Sequence, residues 1–392
     1  MSHRSKFIIV VATLSFAFTA FVFANRESRV TASSDITVKA GTNAPGPSQF
    51  YAQHNLISDV PGVADHTDPN VVNAWGLDAG DTSPWWFSDN GTGKTTLYNV
   101  STGTIPATFT VPGAGGAQGN PTGLVFNGGP GFVVNNGAGT SRAIFIFASE
   151  DGTISAFRGN PIVTVVPNAN ATAHGAVYKG LAIDSRTAGT LLYATDFHNG
   201  KIEVFNSSFH LMTLAAGSFT DPNLPPGFAP FGIQNINGTL YVTYALQDEH
   251  AHDDVPGPGN GFVDAYDLSG NLMRRVASAG ELNSPWGLAL APAGFGRFSG
   301  DLLVGNFGDG RIHAFDPASL TSAGEFEAVG LLHSTAGKPV KVDGLWALQF
   351  GHGTTAGSAN GLTTTLFFTA GPDGEDHGLF GTLVLSELPG RQ

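Results

Sequence analysis

A short glycine-centred segment recurs six times along the chain, and this repetition limits the possible folds more than any other feature. In each copy a glycine is followed by leucine or isoleucine, and successive glycines are 47 to 57 residues apart. A period of this length is typical of repeat architectures. The copies are centred on Gly76, Gly123, Gly180, Gly232, Gly287 and Gly344.

A hairpin pattern follows each glycine segment. Stretches such as LLYATDFHNGKIEVFN and DLLVGNFGDGRIHAFD place apolar runs on both sides of an Asn-Gly or Asp-Gly turn. No repeat carries a 3.6-residue apolar period long enough for a pair of helices. Each repeat has room for four strands, so the sequence predicts an all-β fold, a six-bladed β-propeller of four-stranded antiparallel blades.

The ends of the repeat region predict how the ring closes. The last repeat supplies only three strands, and a strand-like segment, residues 50–57, precedes the first repeat. We expect this N-terminal strand to complete the sixth blade as its outer strand, which leaves no open inner edge. The anchor glycines are expected on the innermost strands, where the lack of a side chain lets neighbouring backbones approach.

The N-terminus predicts export. Arg4 and Lys6 precede an apolar run from Phe7 to Ala24 whose last three residues resemble a signal-peptidase site. An uncleaved membrane anchor is the alternative, because the run is barely long enough to span a bilayer. Both interpretations place the rest outside the cytoplasm, secreted, periplasmic or at the cell surface, with membrane contact only through an uncleaved leader. The predicted divisions are a signal peptide (1–24), a disordered linker (25–48) and the propeller (49–390).

Composition excludes several functions. The formal net charge is −13, so the surface repels phosphate backbones and nucleic-acid binding is not expected. The chain has no cysteine, which excludes thiol catalysis and thiolate metal sites. The partners left open are a small molecule, a carbohydrate or a protein, and we expect a monomer.

Polar residues are expected to converge on one end of the propeller. Loops entering the innermost strands share a face, here called the upper face, with the turns between second and third strands. Carboxylates and amides there can bind a hard cation or a polyol. The alternative is that Asn and Asp occupy turns for backbone reasons. The residues before the anchors are Asn73, Asn120, Tyr178, Pro230, Asn283 and Asp343, and those on the turns are Asp89, Glu150, Asp196, Asp248, Asn306 and Asp373.

Two tryptophans beside anchor glycines are candidates for stacking on a ligand near the channel mouth. The predicted ligand-binding residues are Asn73, Trp75, Asp89, Asn120, Asn283, Trp286 and Asn306.

Two turns are unusually long or acidic. The turn of the fourth repeat, residues 247–261, contains a His-x-His segment among acids, and the turn of the sixth, residues 372–377, places a glycine between acids. Such residues can hold Ca²⁺ or another divalent cation, and the alternative is a pair of solvated acidic loops. The predicted metal ligands are Asp196, Asn283, Asp343, Asp248, His250, His252, Asp373 and His377.

Four stretches resemble a family of exported bacterial propellers of unassigned function that is related to NHL-repeat propellers. They are residues 55–77, 244–267, 284–312 and 370–381. The resemblance implies the propeller fold and export, and no established activity. A more distant similarity is to gluconolactonase- and regucalcin-type propellers, which hold a divalent cation in the channel with Glu, Asn and Asp. Where those have a glutamate, this chain has Asp65, Asp68 and Asn73.

Three functional hypotheses follow. The leading one is an exported propeller that binds a ligand or partner at its channel face, with or without a divalent cation. The second is a metal-dependent hydrolase or lactonase, with Asp196, Asn283 and Asp343 as ligands and His252 or Asp253 as the base. The third is an interaction platform with a dry or plugged channel.

Overall fold

Six β-sheets surround one axis, so the predicted six-bladed β-propeller is confirmed. The computed structural model describes residues 49–167, 175–185 and 189–387. The predicted signal peptide (1–24), the predicted linker (25–48) and the last three residues assigned to the propeller lie outside the described residues.

The chain starts in blade 6 and then forms blades 1 and 2. The two strands of blade 6 are β1 (Gln49–Ser58) and β2 (His66–Thr67). Blade 1 contains β3 (Ala74–Asp78), β4 (Trp85–Asp89), β5 (Lys94–Tyr98) and β6 (Thr108–Thr110). The next strands are β7 (Pro121–Phe126), β8 (Val133–Asn135), β9 (Thr140–Arg142), β10 (Phe145–Ser149), β11 (Ile154–Phe157) and β12 (Val163–Val166). Of these, β8 and β9 form a separate hairpin, and the other four form blade 2.

Blades 3 and 4 follow. Blade 3 contains β13 (Tyr178–Asp184), β14 (Leu191–Asp196) and β15 (Lys201–Asn206). Its outer edge is extended by a single bridge between Phe205 and Leu211 instead of a fourth regular strand. Blade 4 contains β16 (Phe228–Ile236), β17 (Thr239–Leu246), β18 (Phe262–Tyr266) and β19 (Leu272–Ser278).

Blades 5 and 6 complete the ring. Blade 5 contains β20 (Pro285–Leu290), β21 (Leu302–Asn306), β22 (Ile312–Leu320) and β23 (Phe326–Leu331). Blade 6 adds β24 (Leu345–Phe350), β25 (Leu366–Ala370) and β26 (Leu379–Glu387). The 3₁₀ helices are Asn90–Thr92, Ala114–Gly116 and Gly296–Phe298. Over the described ranges, no helix has the length and apolar character to cross a membrane.

The predicted closure by an N-terminal strand is confirmed. Strand β1 pairs antiparallel with β26, from Gln49 opposite Glu387 to Ser58 opposite Leu379. The two ends of the described propeller therefore share blade 6, and β1 protects the outer edge of β26.

The anchor glycines lie where innermost strands touch, as the sequence indicated. A Cβ added to Gly123 would lie 2.5 Å from the backbone nitrogen of Leu181, and one added to Gly287 would lie 2.5 Å from the carbonyl oxygen of Trp346. Blade-to-blade packing at this level therefore requires a residue with no side chain.

The sixth anchor was misplaced by three residues. The backbone nitrogens of Gly180 and Gly232 each accept the support of a threonine hydroxyl, at 2.6 and 2.8 Å, and in blade 6 the residue that does so is Ala347, at 3.1 Å from Oγ1 of Thr369. Gly344 instead adopts a positive φ of 61° before β24 begins. The reason is that alanine, the next smallest residue, occupies the crowded position in this blade.

The axis is filled by apolar side chains. Beneath the anchor level, one buried aliphatic residue from each blade lines an internal cavity of about 20 Å³, which holds about one water. These residues are Leu77, Leu124, Leu181, Ile233, Leu288 and Leu348. The upper and lower faces are therefore separated by a packed layer.

Candidate functional site

Lys179 lies at the centre of the upper face, between carboxylates of the two neighbouring blades. Its Nζ is 2.5 Å from Oε1 of Glu150 in blade 2 and 3.1 Å from Oδ1 of Asp253 in blade 4. The same atom lies 5.1 Å from the centre of the Trp75 ring. The lysine side chain is only 2% exposed, so its charge depends on these partners.

A series of hydrogen bonds connects this ion pair to blades 1 and 6. Asn90 donates from Nδ2 to Oε2 of Glu150 at 2.9 Å and accepts at Oδ1 from Nδ2 of Asn73 at 3.4 Å. Asn73 also donates to Oε2 of Glu375 at 2.5 Å and accepts from Nε1 of Trp346 at 2.8 Å. Asn73 therefore joins the polar groups to the aromatic residues on the axis.

Carboxyl groups outnumber the ammonium group in this region. Burial raises the pKa of Glu375 to about 7 and that of Asp254 to about 6. Burial by itself would lower the pKa of Lys179, but the charges of Glu150 and Asp253 raise it, so the lysine stays protonated. The region retains surplus negative charge near neutral pH.

Glu150, His252 and Asp253 form a potential metal-binding triad. Each offers one ligand atom, and the three atoms lie within 4.8 Å of one another. Nδ1 of His252 lies 2.9 Å from Oδ1 of Asp253, and this hydrogen bond raises the pKa of the histidine and lowers that of the aspartate. We refer to Glu150, Lys179, His252, Asp253 and Glu375 as the upper-face cluster.

The upper-face cluster is open to solvent on its outer side. The side chain of His252 is 47% exposed and that of Asp253 is 64% exposed, whereas Glu150 is 15% exposed. A ligand can therefore approach from above, while Lys179 occupies the inner side.

Aromatic side chains plug the axis beside the cluster. Trp75 stacks on Trp346 with ring centres 3.7 Å apart, and Trp286 meets both rings edge-on at 6.4 and 6.0 Å. Phe231 lies 5.8 Å from Trp346. Trp75, Trp346 and Phe231 are buried, so these rings contact one another, and the axial channel is closed at its upper end.

Three of the predicted ligand-binding residues serve the turns and blade interiors. Asp89 is fully buried, and its Oδ2 accepts a hydrogen bond from Oγ1 of Thr96 at 2.7 Å. Asn306 is also fully buried, and its Oδ1 accepts from the backbone nitrogen of Asn283 at 3.2 Å. These arrangements match the backbone role that was the alternative interpretation.

The other predicted ligand-binding residues differ in their exposure. Asn120 is exposed, and its carbonyl accepts from the backbone nitrogen of Glu150 at 3.1 Å. Trp286 is half-buried at the aromatic plug. Only Asn73 and Trp75 of the seven contact the upper-face cluster directly.

The three ligands of the hydrolase hypothesis each stabilise a separate turn. Asp196 is buried, and its Oδ1 and Oδ2 accept hydrogen bonds from Asn199 at 3.2 and 2.7 Å. Oδ1 of Asn283 accepts a backbone N–H of the blade 4 loop at 2.7 Å, and Oδ2 of Asp343 accepts from the backbone nitrogen of Asp373 at 2.9 Å. Among the described residues, Asp196 and Asp343 belong to no group of three metal-ligating side chains.

Asp248 shapes the long loop of blade 4. Its Oδ1 accepts backbone N–H groups of His250, His252 and Asp253 at 3.2, 2.8 and 3.3 Å. This curl places His252 and Asp253 above Lys179. His250 is 76% exposed, lies 3.4 Å from Glu249 and is outside the triad.

The acidic loop of blade 6 sends Glu375, not its neighbours, toward the cluster. Glu375 has a positive φ of 73°, which directs its side chain to Asn73. Asp373 is exposed, and Nδ1 of His377 is paired with Oδ2 of Asp59 at 2.8 Å. Neither Asp373 nor His377 joins the triad.

Sequence reasoning did not select Lys179, Glu150 or Glu375 as site residues. The available signal was the anchor pattern itself, in which Lys179 occupies a position that holds Trp75, Thr122, Phe231 and Trp286 in other repeats. A lysine at a buried position requires carboxylate partners.

Comparison with known proteins finds relatives that cover most of the chain. "Uncharacterized protein R648" of Acanthamoeba polyphaga mimivirus is 34% identical over 340 residues, which are 85% of this chain and 80% of that protein. "Uncharacterized protein L690" of the same virus is 31% identical over 368 residues, which are 91% of this chain and 92% of that protein. The chain belongs to the family of these mimivirus proteins. These family members are viral, whereas the sequence resemblance had implied a bacterial family.

Solved structures share the fold of this mimivirus protein family at low identity. An α-L-arabinofuranosidase from Fusarium graminearum in complex with an iminosugar inhibitor has a TM-score of 0.52 and 13% identity, covering 86% of this chain and 98% of that chain. Virginiamycin B lyase from Staphylococcus aureus has a TM-score of 0.47 and 14% identity. No family model matches the chain.

Proposed function

We propose that this member of the mimivirus protein family binds a divalent cation at the upper-face cluster, with Glu150, His252 and Asp253 as ligands. The observation that carries the proposal is the approach of their ligand atoms to within 4.8 Å of one another. Two carboxylates and an imidazole are donors that suit Mn²⁺. Ca²⁺, which prefers oxygen ligands, would rely mainly on the carboxylates.

Lys179 limits the affinity of this site. Its Nζ already contacts Glu150 and Asp253, so a bound cation would share these carboxylates with the ammonium group. The surplus charge from Glu375 and Asp254 offsets part of the resulting repulsion. We therefore expect binding that weakens steeply as the pH falls and the carboxylates and His252 become protonated.

A Mn²⁺ titration followed by NMR tests the proposal. Because Mn²⁺ is paramagnetic, its binding should broaden the backbone signals of Glu150, His252 and Asp253 before those of other residues. His252→Ala should weaken binding by roughly tenfold or more, since it removes one of three ligands. His250→Ala is the matched control, because His250 is a histidine of the same loop outside the triad.

The outcomes separate a built site from general attraction to an acidic surface. Selective broadening that is weakened by His252→Ala and unchanged by His250→Ala supports the proposal, and Ca²⁺ should compete for the same carboxylates. Broadening spread over the surface, or equal effects of the two substitutions, would contradict it.

The His252–Asp253 pair favours a second candidate function, the metal-dependent hydrolase. A water bound to a cation at the triad would lie beside an imidazole, and Glu375, with its pKa raised to about 7, could supply a proton. Turnover of a lactone and ester panel in the presence of Mn²⁺, abolished by Asp253→Asn, would favour the enzyme. Binding of Mn²⁺ without turnover would favour the binding protein.

A further inference from the structure

The lower face, at the end of the propeller opposite the upper-face cluster, contains a cavity with two lobes. The lobes have volumes of about 440 and 250 Å³. Gln234, Asn235, Gln349 and His352 line both lobes and lie between them. Blades 4, 5 and 6 line the larger lobe, and blades 1, 2, 3, 4 and 6 line the smaller one.

This cavity is independent of the upper-face cluster. The buried aliphatic ring around the 20 Å³ internal cavity and the aromatic plug lie between the two. A ligand of the lower cavity would therefore touch none of the proposed cation ligands.

Asp78 fixes the orientation of one amide in the cavity. Its carboxylate accepts hydrogen bonds from the backbone nitrogens of Phe126 at 2.6 Å and Ala79 at 2.7 Å, and from Nε2 of Gln349 at 2.8 Å. Nε2 of Gln349 also lies 3.4 Å from Nε2 of His352. Both amide hydrogens of Gln349 therefore have acceptors, and its carbonyl oxygen is the group left to accept from a ligand.

Gln234 supplies a second amide. Its side chain is half-buried and has no hydrogen-bond partner among the described residues, so it can both donate and accept. Asn235, by contrast, is fixed by the carbonyl of Ile183 at 2.9 Å and the backbone nitrogen of Gly238 at 3.0 Å. An amide that is left unpaired at half burial favours a ligand that completes its hydrogen bonds.

The larger lobe adds an apolar wall. Leu290, Pro292 and Phe350 line it on the side away from the amides. Uncharged hydrogen-bonding groups beside an apolar surface match a sugar ring, which has hydroxyl groups at its edge and C–H groups on its faces. A charged ligand would lose hydration without gaining a counter-charge, because three donors already satisfy Asp78.

We propose that the lower cavity binds a neutral carbohydrate of two rings, one in each lobe, with hydroxyl groups bound by Gln234 and by the carbonyl oxygen of Gln349. This site is distinct from the proposed cation site, and neither proposal depends on the other.

Methyl NMR with maltose, cellobiose and lactose as probes tests the proposal. Binding at millimolar concentration of at least one disaccharide should shift the methyl signals of Leu290 and Leu348 and leave those of Val255, in the upper-face loop, unchanged. Gln234→Leu should weaken binding roughly tenfold, since it removes the free amide. Gln53→Leu on the outer strand of blade 6 is the matched control, because it makes the same change outside the cavity.

Leu290→Trp provides a second variant that does not depend on Gln234. Leu290 is half-buried, so the larger side chain can fill the lobe without entering the core, and binding should be lost. No shift at Leu290 and Leu348 with any of the three disaccharides would overturn the proposal. So would equal binding by the Gln234→Leu variant, or shifts produced by spermidine or citrate in place of the sugars.

Discussion

Lys179 is the residue that organises the upper face, because it is the one cation shared by Glu150 and Asp253. Lys179→Met should lower the free energy of unfolding by about 3 kcal/mol near neutral pH, since it leaves a largely buried Glu150 without its partner. The loss should shrink in acid, where the carboxylates take up protons. Urea unfolding at neutral and acid pH measures both effects.

Lys201 gives the control for this substitution. It also forms an ion pair, with Glu203 at 2.8 Å, but its side chain is 52% exposed. Exposed pairs contribute little, so Lys201→Met should change stability by less than about 1 kcal/mol. Equal losses in the two variants would show that the burial of Lys179 is not what matters.

Glu375 makes stability depend on pH. Burial raises its pKa from the ordinary value of 4.5 to about 7, so the folded protein holds the proton more tightly than the unfolded chain. Stability from this group is therefore present at low pH and is lost as the pH rises from 4.5 through about 7, by up to about 3 kcal/mol.

Glu375→Gln should remove this pH dependence while keeping the acceptor for Asn73. The variant should become more stable than the parent above about pH 7, because it has no buried charge to form. Thermal unfolding across the pH range checks this, with the exposed neighbour Asp376→Asn as the control. A parallel pH profile for parent and Glu375→Gln would refute the assignment.

These residues define what the sequence could and could not reveal at this scale. Asn73 and Asp253 were identified because they lie on predicted turns, and His252 because of its His-x-His spacing. Glu375 was overlooked because the direction of its side chain depends on a positive φ within an acidic loop. Among Asp373, Glu375 and Asp376, nothing in the composition of the loop distinguishes the residue that turns inward.

At the scale of elements, contacts between innermost strands hold the ring together. Thr195 in blade 3 links two blades, since its Oγ1 accepts from the backbone nitrogen of Gly180 at 2.6 Å and donates to the carbonyl of Phe231 at 2.8 Å. Thr122 makes a related link to the carbonyl of Tyr178 at 2.7 Å. Such links require the backbones to approach closely, which is why a glycine recurs at this level.

Gly287→Ala should destabilise the propeller by roughly 3 kcal/mol, because the added methyl would meet the carbonyl oxygen of Trp346 at 2.5 Å, a backbone atom that cannot easily move. Gly357→Ala is the control, since a Cβ there has no atom within 4 Å and its φ is not positive. Chemical denaturation should show a near-zero or slightly stabilising effect for the control. A neutral Gly287→Ala variant would contradict the close approach of blades 5 and 6.

Strand order and closure were predictable from the sequence because each follows from a local pattern. Hairpin turns marked the second and third strands, and the lone strand before the first repeat marked the closing β1. The sixth anchor was not placed correctly, because Gly344 matched the glycine pattern while the structural equivalent is Ala347. A residue-type pattern fails where a different small residue meets the same steric requirement.

At the scale of the whole molecule, the two ends of the axis differ. The upper end is closed by Trp75, Trp346 and Phe231 and carries the surplus of carboxylates, whereas the lower end opens into the two-lobed cavity. The repeat pattern predicted which residues converge on the upper face. It did not predict the lower cavity, whose shape depends on how large side chains fill the axis.

A crystal grown with Mn²⁺ tests the central claim about the upper face most directly, because anomalous scattering locates the ion. We predict one strong anomalous peak bonded to Glu150, His252 and Asp253, and its loss in the His252→Ala variant but not in the His250→Ala variant. An upper-face cluster without a peak, at Mn²⁺ concentrations that occupy other surface carboxylates, would contradict the assignment of these residues as a cation site.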